Sequence, residues 1–389
     1  MKAYAACLLG VSLSCNAAIA DTQNEPSLEE RTASMMTKTA KDYHLPSLSV
    51  AIGIGSDVVF ADAIGYADIE EKRAATTKTQ YSVGSLAKPM TGLALAKLLD
   101  DGKLKLSDPV SRYVQKPAYT ARFSVLELAS HTAGIPHDTK ERDRAEFDQP
   151  RDHKNPTDAF HVFESLPLLF EPGTNYQYSS NGYILLSAVI EQAAGASYVD
   201  FLRDSLWAPF AMQHTELDTS FAGKRHEAKY YAERLSDGLY TPATTQRDRS
   251  FLFGGGGFIS TPSDLVNMAQ ASYREHYLST EAKQALFTPV KLKNGEVNSE
   301  KYSLGWRVGK VQLGDSDRSW TALHHGGVTD KAATAYLLVI PECKASIAFA
   351  TNYIPDKFWK IRGIMAKTLK AYIQANSCVS NASEPLPAT

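Results

Sequence analysis

The chain of 389 residues has little cysteine, no excess of charge of either sign and, beyond its first twenty residues, no long apolar run. Each shortage excludes something. A formal net charge of −2 leaves no basic stripe to neutralise phosphates, so nucleic acid is not an expected partner. No apolar run after the leader is long enough to cross a bilayer, so no transmembrane segment is expected there. No G-x-S-x-G elbow occurs, which disfavours an α/β-hydrolase. Ten histidines include no H-E-x-x-H pair and no ligand cluster typical of a metallo-hydrolase, so no metal is expected. The run GGGG at 254–257 is followed by no lysine of the phosphate-loop kind, so no nucleotide or other cofactor is expected.

What is there begins with a secretory pattern. Lys2 gives the positive start, AYAACLLGVSLSC the apolar stretch and Ala18-Ile19-Ala20 a small-residue cleavage site. Residues 1–20 are therefore expected to be a signal peptide cleaved after Ala20, with the remainder periplasmic or secreted. A buried N-terminal helix is the alternative. Cys15 could instead carry a lipid, although Ser12-Leu13-Ser14 before it makes a poor lipobox.

Cys7 and Cys15 leave with the leader, and Cys343 and Cys378 remain in a compartment that permits disulfides. Between them, SIAFATNY reads as a strand and DKFWKIRGIMAKTLKAYIQA as a helix, with Phe358, Ile361, Met365, Leu369 and Tyr372 at core spacing. About nine strand residues and about twenty helical ones each travel roughly 30 Å, so the returning helix ends near the strand's beginning. The two thiols can meet. Two unpaired structural cysteines are the alternative.

Along the chain, Ser27-Leu28-Glu29-Glu30 has capping-box form and opens a helix to about Tyr43, stopped by Pro46. SLSVAIGI and VVFADAIGYA follow as strands joined by Gly55-Ser56-Asp57 in a hairpin. Ser85 to about Asp101 reads as a helix ended by Gly102. The middle, to about residue 245, is expected to be largely helical, and its charge run HDTKERDRAEFDQPRDHKNPTD to be a solvated loop. Thr261 caps a further helix, then YSLGWRV, AYLLVIP and SIAFATNY read as strands before the final helix. Strands at both ends with helices between them predict an α+β fold: an antiparallel sheet built from both chain ends, flanking helices and an inserted mostly helical region. The expected domain runs over 28–375, with an α/β part at about 28–80 and 250–375 and a helical part at about 81–249. Residues 379–389 are expected to be a disordered tail.

The stretch YSVGSLAKPMTG, residues 81–92, puts Lys88 three places after Ser85 at the mouth of a helix. Positions i and i+3 share a helix face, so the lysine amine can lie beside the serine hydroxyl. A serine hydroxyl is a poor nucleophile without a base in reach. Lysine, with a free pKa near 10.4, becomes a usable base only where burial or a second cation discharges it. The unpaired N–H groups at the helix start point at any anion that develops there. A cap serine beside an exposed lysine is the bland alternative, and the case depends on the surroundings.

Those surroundings resemble the serine β-lactamase and DD-peptidase superfamily, in particular the branch of class C β-lactamases, D-amino-acid-releasing peptidases and family VIII carboxylesterases. Ser85-Leu86-Ala87-Lys88 matches the first motif, in which the serine forms the acyl-enzyme. GKLKLSDPVSRYV and LASHTAGIP are similar to the segments between the first two motifs. EPGTNYQYSSNGYILLSAVIE resembles the second-motif region and puts Tyr178 on the catalytic tyrosine. GGGGFISTPSDL and YSLGWRV match the lead-in to the third motif, where His325-Gly326-Gly327 falls on the K/H-x-G box. The resemblance runs in order from about residue 28 to 375. It implies an oxyanion hole made by the backbone amides of Ser85 and Val328. A core aromatic is the plain alternative for Tyr178, and a surface histidine for His325.

Two departures bear on substrate. The second motif reads Tyr178-Ser179-Ser180, with Asn181 one place late, so a short hydroxyl at Ser180 replaces the amide that would hold a substrate amide. The third motif has His325 where β-lactamases have lysine; a reference pKa near 6.5 leaves it mostly neutral at pH 7. Hydrolysis of a carboxylate-bearing substrate is then expected to strengthen as pH falls toward about 6. The polar stretch TDKAATAY lacks the Pro-Gly turn common after the box. The implied function is an exported serine hydrolase cleaving an amide or ester through a Ser85 acyl-enzyme, like a DD-peptidase or β-lactamase. A family VIII-type carboxylesterase is the first alternative, and a catalytically weak binding module on the same fold the second.

Overall fold

Ser27 opens the first helix, Leu28–Asp42, through its capping box: its hydroxyl accepts from the Glu30 N–H, and the Glu30 carboxylate accepts from the Ser27 N–H. The computed structural model describes residues 25–137, 153–219, 226–243, 248–312, 319–376 and 378. The expected leader at 1–20, most of the charge run at 137–158 and the tail at 379–389 lie outside these residues.

Strands β1 (Ser47–Ile54) and β2 (Asp57–Asp68) form the expected hairpin, followed by short β3 (Arg73–Ala74) and β4 (Tyr81–Ser82). In the middle of the chain come β5 (Glu216–Leu217), β6 (Tyr231–Arg234), β7 (Tyr240–Pro242) and β8 (Phe258–Ser260). The last strands are β9 (Arg307–Gln312), β10 (Ser319–Thr329), β11 (Ala333–Ile340) and β12 (Ala345–Thr351). Seven of these make one sheet in the order β3-β2-β1-β12-β11-β10-β9. Its seam is the antiparallel β1–β12 pair, with Ser49 opposite Ala350 and Val50 opposite Phe349. The sheet is thus assembled from both ends of the chain, as the strand order predicts.

Strands β1, β11 and β12 are buried along almost their whole length because both faces of the sheet are covered. Leu48, Val50, Ile52, Ile347 and Phe349 share a core with Met36 of the first helix and with Ile361, Met365 and Leu369 of the final helix, Phe358–Ala375. The alternate residues Ala51, Leu337, Val339, Ala348 and Ala350 belong to a second core with Leu265 and Val266 of the helix Pro262–Ala269 and with the inserted region. Cys343 and Cys378 are disulfide-bonded with Cα atoms 5.5 Å apart, so the final helix does return to the start of β12.

Two local expectations need correction, and two further features go beyond them. The inserted region is less helical than its composition suggests: helices Ala87–Asp100, Val125–Ala129, Ser180–Ala194 and Tyr198–Leu202 alternate with irregular turns and the β6–β7 hairpin. YSLGWRV is a strand only from Arg307, because Gly305 at φ +83 turns the chain before it. Strand β10, which carries the third motif, was hidden by two histidines and two glycines that blur its apolar alternation. TDKAATAY is a tight turn into β11, with Thr329 opposite Ala333 and the Ala332 N–H donating to the Thr329 carbonyl at 3.0 Å. No helix among the described residues is long and apolar enough to cross a membrane.

Candidate active site

Three segments distant in sequence converge at the N-terminal end of the Ala87–Asp100 helix. The first is the turn before it. Pairing of β4 with β8, Tyr81 opposite Ser260 and Ser82 opposite Ile259, carries the chain into a 3-10 turn at Gly84–Leu86 and from there into the helix. Ser85 stands in that turn, half-buried, and Lys88 lies one turn on with no solvent exposure. Lys88 Nζ is 3.3 Å from Ser85 Oγ, 3.1 Å from Ser180 Oγ and 2.6 Å from the Gly255 carbonyl oxygen. It also lies over the Tyr178 ring, 4.6 Å from its centre.

The second segment precedes the helix Ser180–Ala194. Its N-cap, Ser179, accepts from the Gly182 N–H at 2.9 Å and donates to the Pro136 carbonyl at 2.9 Å. This puts Tyr178 just outside the helix and Ser180 at its first residue, buried, with its N–H donating to His137 Nδ1 at 3.0 Å. Asn181 is otherwise engaged: its amide donates to the Pro136 and His137 carbonyls at 3.1 and 2.6 Å. It holds that turn and does not replace the second-motif asparagine.

Behind Tyr178 sits a residue the sequence reading left without a role. His131 is buried, with its ring centre 4.5 Å from that of Tyr178, 4.9 Å from Tyr183 and 4.6 Å from Tyr302. Its Nδ1 accepts from the Ser179 N–H at 3.2 Å. Burial, reinforced by the Lys88 charge, holds it well below the ordinary histidine range. The ring therefore packs as a neutral aromatic.

The third segment is β10. Gly327 is pressed against the turn that carries Ser85: a Cβ there would come within 1.8 Å of the Val83 carbonyl oxygen and 3.3 Å of the Ser85 nitrogen. Only glycine permits that approach, and it brings the Gly327-Val328 backbone beside Ser85. Gly326 lies against Phe358, whose ring a Cβ would meet at 3.2 Å. The Val328 side chain is exposed.

His325 is neither a surface histidine nor a cation in waiting. It is 1% exposed. Its Nε2 lies 3.2 Å from Arg307 Nη1 and 3.1 Å from the Tyr302 hydroxyl, and its Nδ1 lies 2.7 Å from the Gly326 carbonyl oxygen. A guanidinium can only donate, so Nε2 accepts and the ring hydrogen sits on Nδ1, aimed at that carbonyl. Burial pushes the imidazole well below its ordinary pKa, and the charges of Arg307 and Lys88 push the same way. This geometry runs against the expectation that His325 gains charge near pH 6.

The charge is on Arg307 instead. Its Nε donates to Glu300 at 3.0 Å, and its guanidinium carbon lies 5.5 Å from the Tyr178 ring centre and 5.6 Å from that of Tyr302. Burial opposes the charge, but the Glu300 hydrogen bond and the tyrosine hydroxyls outweigh it and raise the arginine above its usual value. The available signal was the single cation in YSLGWRV. A cavity of about 850 Å³ lies elsewhere, between the 99–107 and 285–293 segments, and is lined by none of Ser85, Lys88 or Tyr178. Among the described residues, no group of three or more His, Cys, Asp or Glu side chains could hold a metal ion.

An α+β fold of this topology is the β-lactamase/transpeptidase-like fold. The chain belongs to the beta-lactamase family, whose model matches residues 32–360. A penicillin-binding protein of Bacillus subtilis (strain 168) is 29% identical over 300 residues, which are 75% of this chain and 65% of that protein. The chain thus spans slightly less than two thirds of that relative. The crystal structure of FmtA from Staphylococcus aureus is similar with a TM-score of 0.71 at 20% identity, covering 88% of this chain and 90% of that one. A D-amino acid amidase from Ochrobactrum anthropi SV3 gives 0.70 at 20% identity, covering 89% and 100%. At such identities these two likenesses speak for the fold.

Proposed function

We propose that this chain hydrolyses an amide or ester through an acyl-enzyme on Ser85, in the manner of DD-peptidases and β-lactamases. The observation that carries this reading is the set of oxygens around the Lys88 amine. As an ammonium, Lys88 has acceptors for its three hydrogens in Gly255 O, Ser180 Oγ and Ser85 Oγ. As a free amine it keeps hydrogens on the two nearer oxygens, and its lone pair is left for Ser85. It then takes the Ser85 proton as Oγ bonds to the substrate carbonyl carbon, while the Ser85 and Val328 N–H groups donate to the developing oxyanion. Collapse breaks the bond to the leaving amine or alkoxide, which departs with a proton passed from Lys88 through Tyr178. Water then attacks the Ser85 ester, which releases the acid and restores the hydroxyl.

Arg307 supports a substrate that bears a carboxylate, because it offers a permanent cation beside Tyr178 where the third motif lacks its lysine. The likenesses to a penicillin-binding protein and a D-amino acid amidase support a peptide or amide acyl donor. A second reading, a family VIII-type carboxylesterase, is favoured by Ser180. Its hydroxyl is engaged by Lys88 and offers no amide to a substrate. The leader pattern supports export, and the Cys343–Cys378 disulfide suits an oxidising compartment.

Mass spectrometry after incubation with a fluorophosphonate or a penicillin tests the reading. An adduct on Ser85, abolished in Ser85→Ala, is the expected result. Folded protein that takes no adduct overturns the hydrolase and leaves the binding module. Rates on p-nitrophenyl butyrate, nitrocefin and a D-Ala-D-Ala peptide then separate esterase from amidase.

A further inference from the structure

Directly behind the nucleophile's turn lies an ionic cluster that none of this chemistry uses. Asp218 and Arg249 are 2% and 4% exposed, with Arg249 Nη1 3.7 Å from Asp218 Oδ2. Burying two charges is costly unless further hydrogen bonds employ them. Here the same Oδ2 accepts from the Ser82 hydroxyl at 2.5 Å. That commits the Ser82 hydrogen, so the contact at 3.1 Å between Ser82 Oγ and Thr329 Oγ1 has threonine as its donor.

The positions of those two hydroxyls matter. Ser82 lies three residues before Ser85, and Thr329 immediately follows Val328. The chain Thr329–Ser82–Asp218–Arg249 therefore ties together the two backbone segments whose N–H groups form the proposed oxyanion hole. The same pair is anchored on the Lys88 side. The Asp218 N–H donates to the Gly257 carbonyl, and the Arg249 N–H to the Asp218 carbonyl, both at 2.9 Å. From Arg249 the 3-10 segment Ser250–Gly255 leads straight to the carbonyl that holds Lys88 Nζ.

We propose that Asp218 and Arg249, acting through Ser82 and Thr329, fix the spacing between the Ser85 and Val328 amides and so set the oxyanion hole. This rests on the Ser85 acyl-enzyme reading. Asp218, Arg249, Ser82 and Thr329 are positioning residues; the donors they align must sit close to where the oxyanion will be, to within about 0.5 Å.

Thr329→Val removes the hydroxyl, keeps the side-chain volume and leaves the buried ion pair intact; Thr329→Ser puts the hydroxyl back. Both would be acylated with a slowly deacylating penicillin or ester, and the infrared band of the acyl carbonyl read beside the acylation rate and KM. Thr329→Val is expected to acylate roughly tenfold more slowly with KM within about twofold of wild type. Its carbonyl band should move to higher frequency and broaden, while Thr329→Ser keeps the native band and rate. Folded Thr329→Val with the wild-type band and rate overturns the inference and leaves the Ser85 reading standing. So does a variant that loses thermal stability with an unchanged band, since the cluster is then merely structural. Wild type that forms no adduct overturns the Ser85 reading itself, and the oxyanion role with it.

Discussion

The helix side and the strand side of the site are built by different physics. On the helix side, Ser85 and Lys88 meet because a helical turn puts i and i+3 on one face, and burial of the turn withdraws the amine from water. On the strand side, His325 takes its partners from Arg307 and Tyr302, in a register that sets His324 opposite Arg307. The result is a buried amine among hydroxyls on one side and a neutral imidazole with its charge handed to a neighbouring strand on the other. Local spacing dictates the first. The second depends on which strands pair, and one residue of slip would send those side chains to the opposite face.

The largest effect should fall on the helix side. Lys88→Ala is expected to lower the acylation rate by at least about 10³-fold, comparable with Ser85→Ala. Lys88→Arg sharpens the point, because a guanidinium keeps the charge but cannot give up its proton near neutral pH. It should be as inactive as the alanine variant. Single-turnover labelling of Ser85, with circular dichroism to verify folding, measures both. An arginine variant within tenfold of wild type would mean that Lys88 acts as a cation and the proton goes elsewhere.

Stability should show the next effect, and it involves both sides. Burial holds His324 down to about 4, helped by Arg362 and Arg307, and holds His131 and His325 well below the ordinary range. Below about pH 6.5 the unfolded chain binds protons that these folded imidazoles refuse, so stability falls as pH drops from there toward the folded values. For His324 alone, passing from 6.5 to about 4 costs on the order of 3 kcal/mol. Urea midpoints between pH 7.5 and 4.5 should decline, and less steeply in His324→Phe. Equal slopes in the two proteins would mean that His324 titrates normally.

Much of the fold is legible in the sequence. The Ser27 capping box, the β1–β2 hairpin and the apolar runs of β11 and β12 are local or compositional signals, and the sheet drawn from both ends follows from their order. Matched lengths of strand and helix put Cys343 and Cys378 within reach of each other but left open whether they are bonded, as they are here. Strand β10 was not legible, because two histidines and two glycines interrupt its alternation. Arg307 was visible only as one cation in a strand, and nothing local tells that its guanidinium reaches Nε2 of a histidine on the next strand. Asp218 and Arg249 belong to the same class of hidden contact, formed by loops that only the finished fold brings together.

A smaller effect tests the displaced charge. If Arg307 is the cation that attracts a substrate carboxylate, Arg307→Gln should raise KM for a carboxylate-bearing substrate by roughly tenfold and leave a neutral ester within about twofold. Arg307→Lys should recover part of the loss through its charge, but not the planar fork that spans Glu300 and His325. Equal losses on both substrates in Arg307→Gln would make the arginine a support for His325 and Tyr178 rather than a docking charge.

The smallest effect is a near absence of change, and it decides between the two third-motif pictures. Were His325 to gain a proton near pH 6, the ratio of kcat/KM for a carboxylate substrate to that for a neutral ester would climb as pH falls, because the substrate carboxylate remains ionised there. The geometry argues the opposite. Protonating Nε2 would aim a hydrogen at Arg307 Nη1, 3.2 Å away, and place a second charge beside a cation held by Glu300. His325 should therefore stay neutral and Arg307 charged throughout, and the ratio between pH 8 and 5.5 should hold within about twofold. A tenfold rise near pH 6 that disappears in His325→Gln would show that the imidazole does charge, and with it that the Arg307–His325 contact opens in solution.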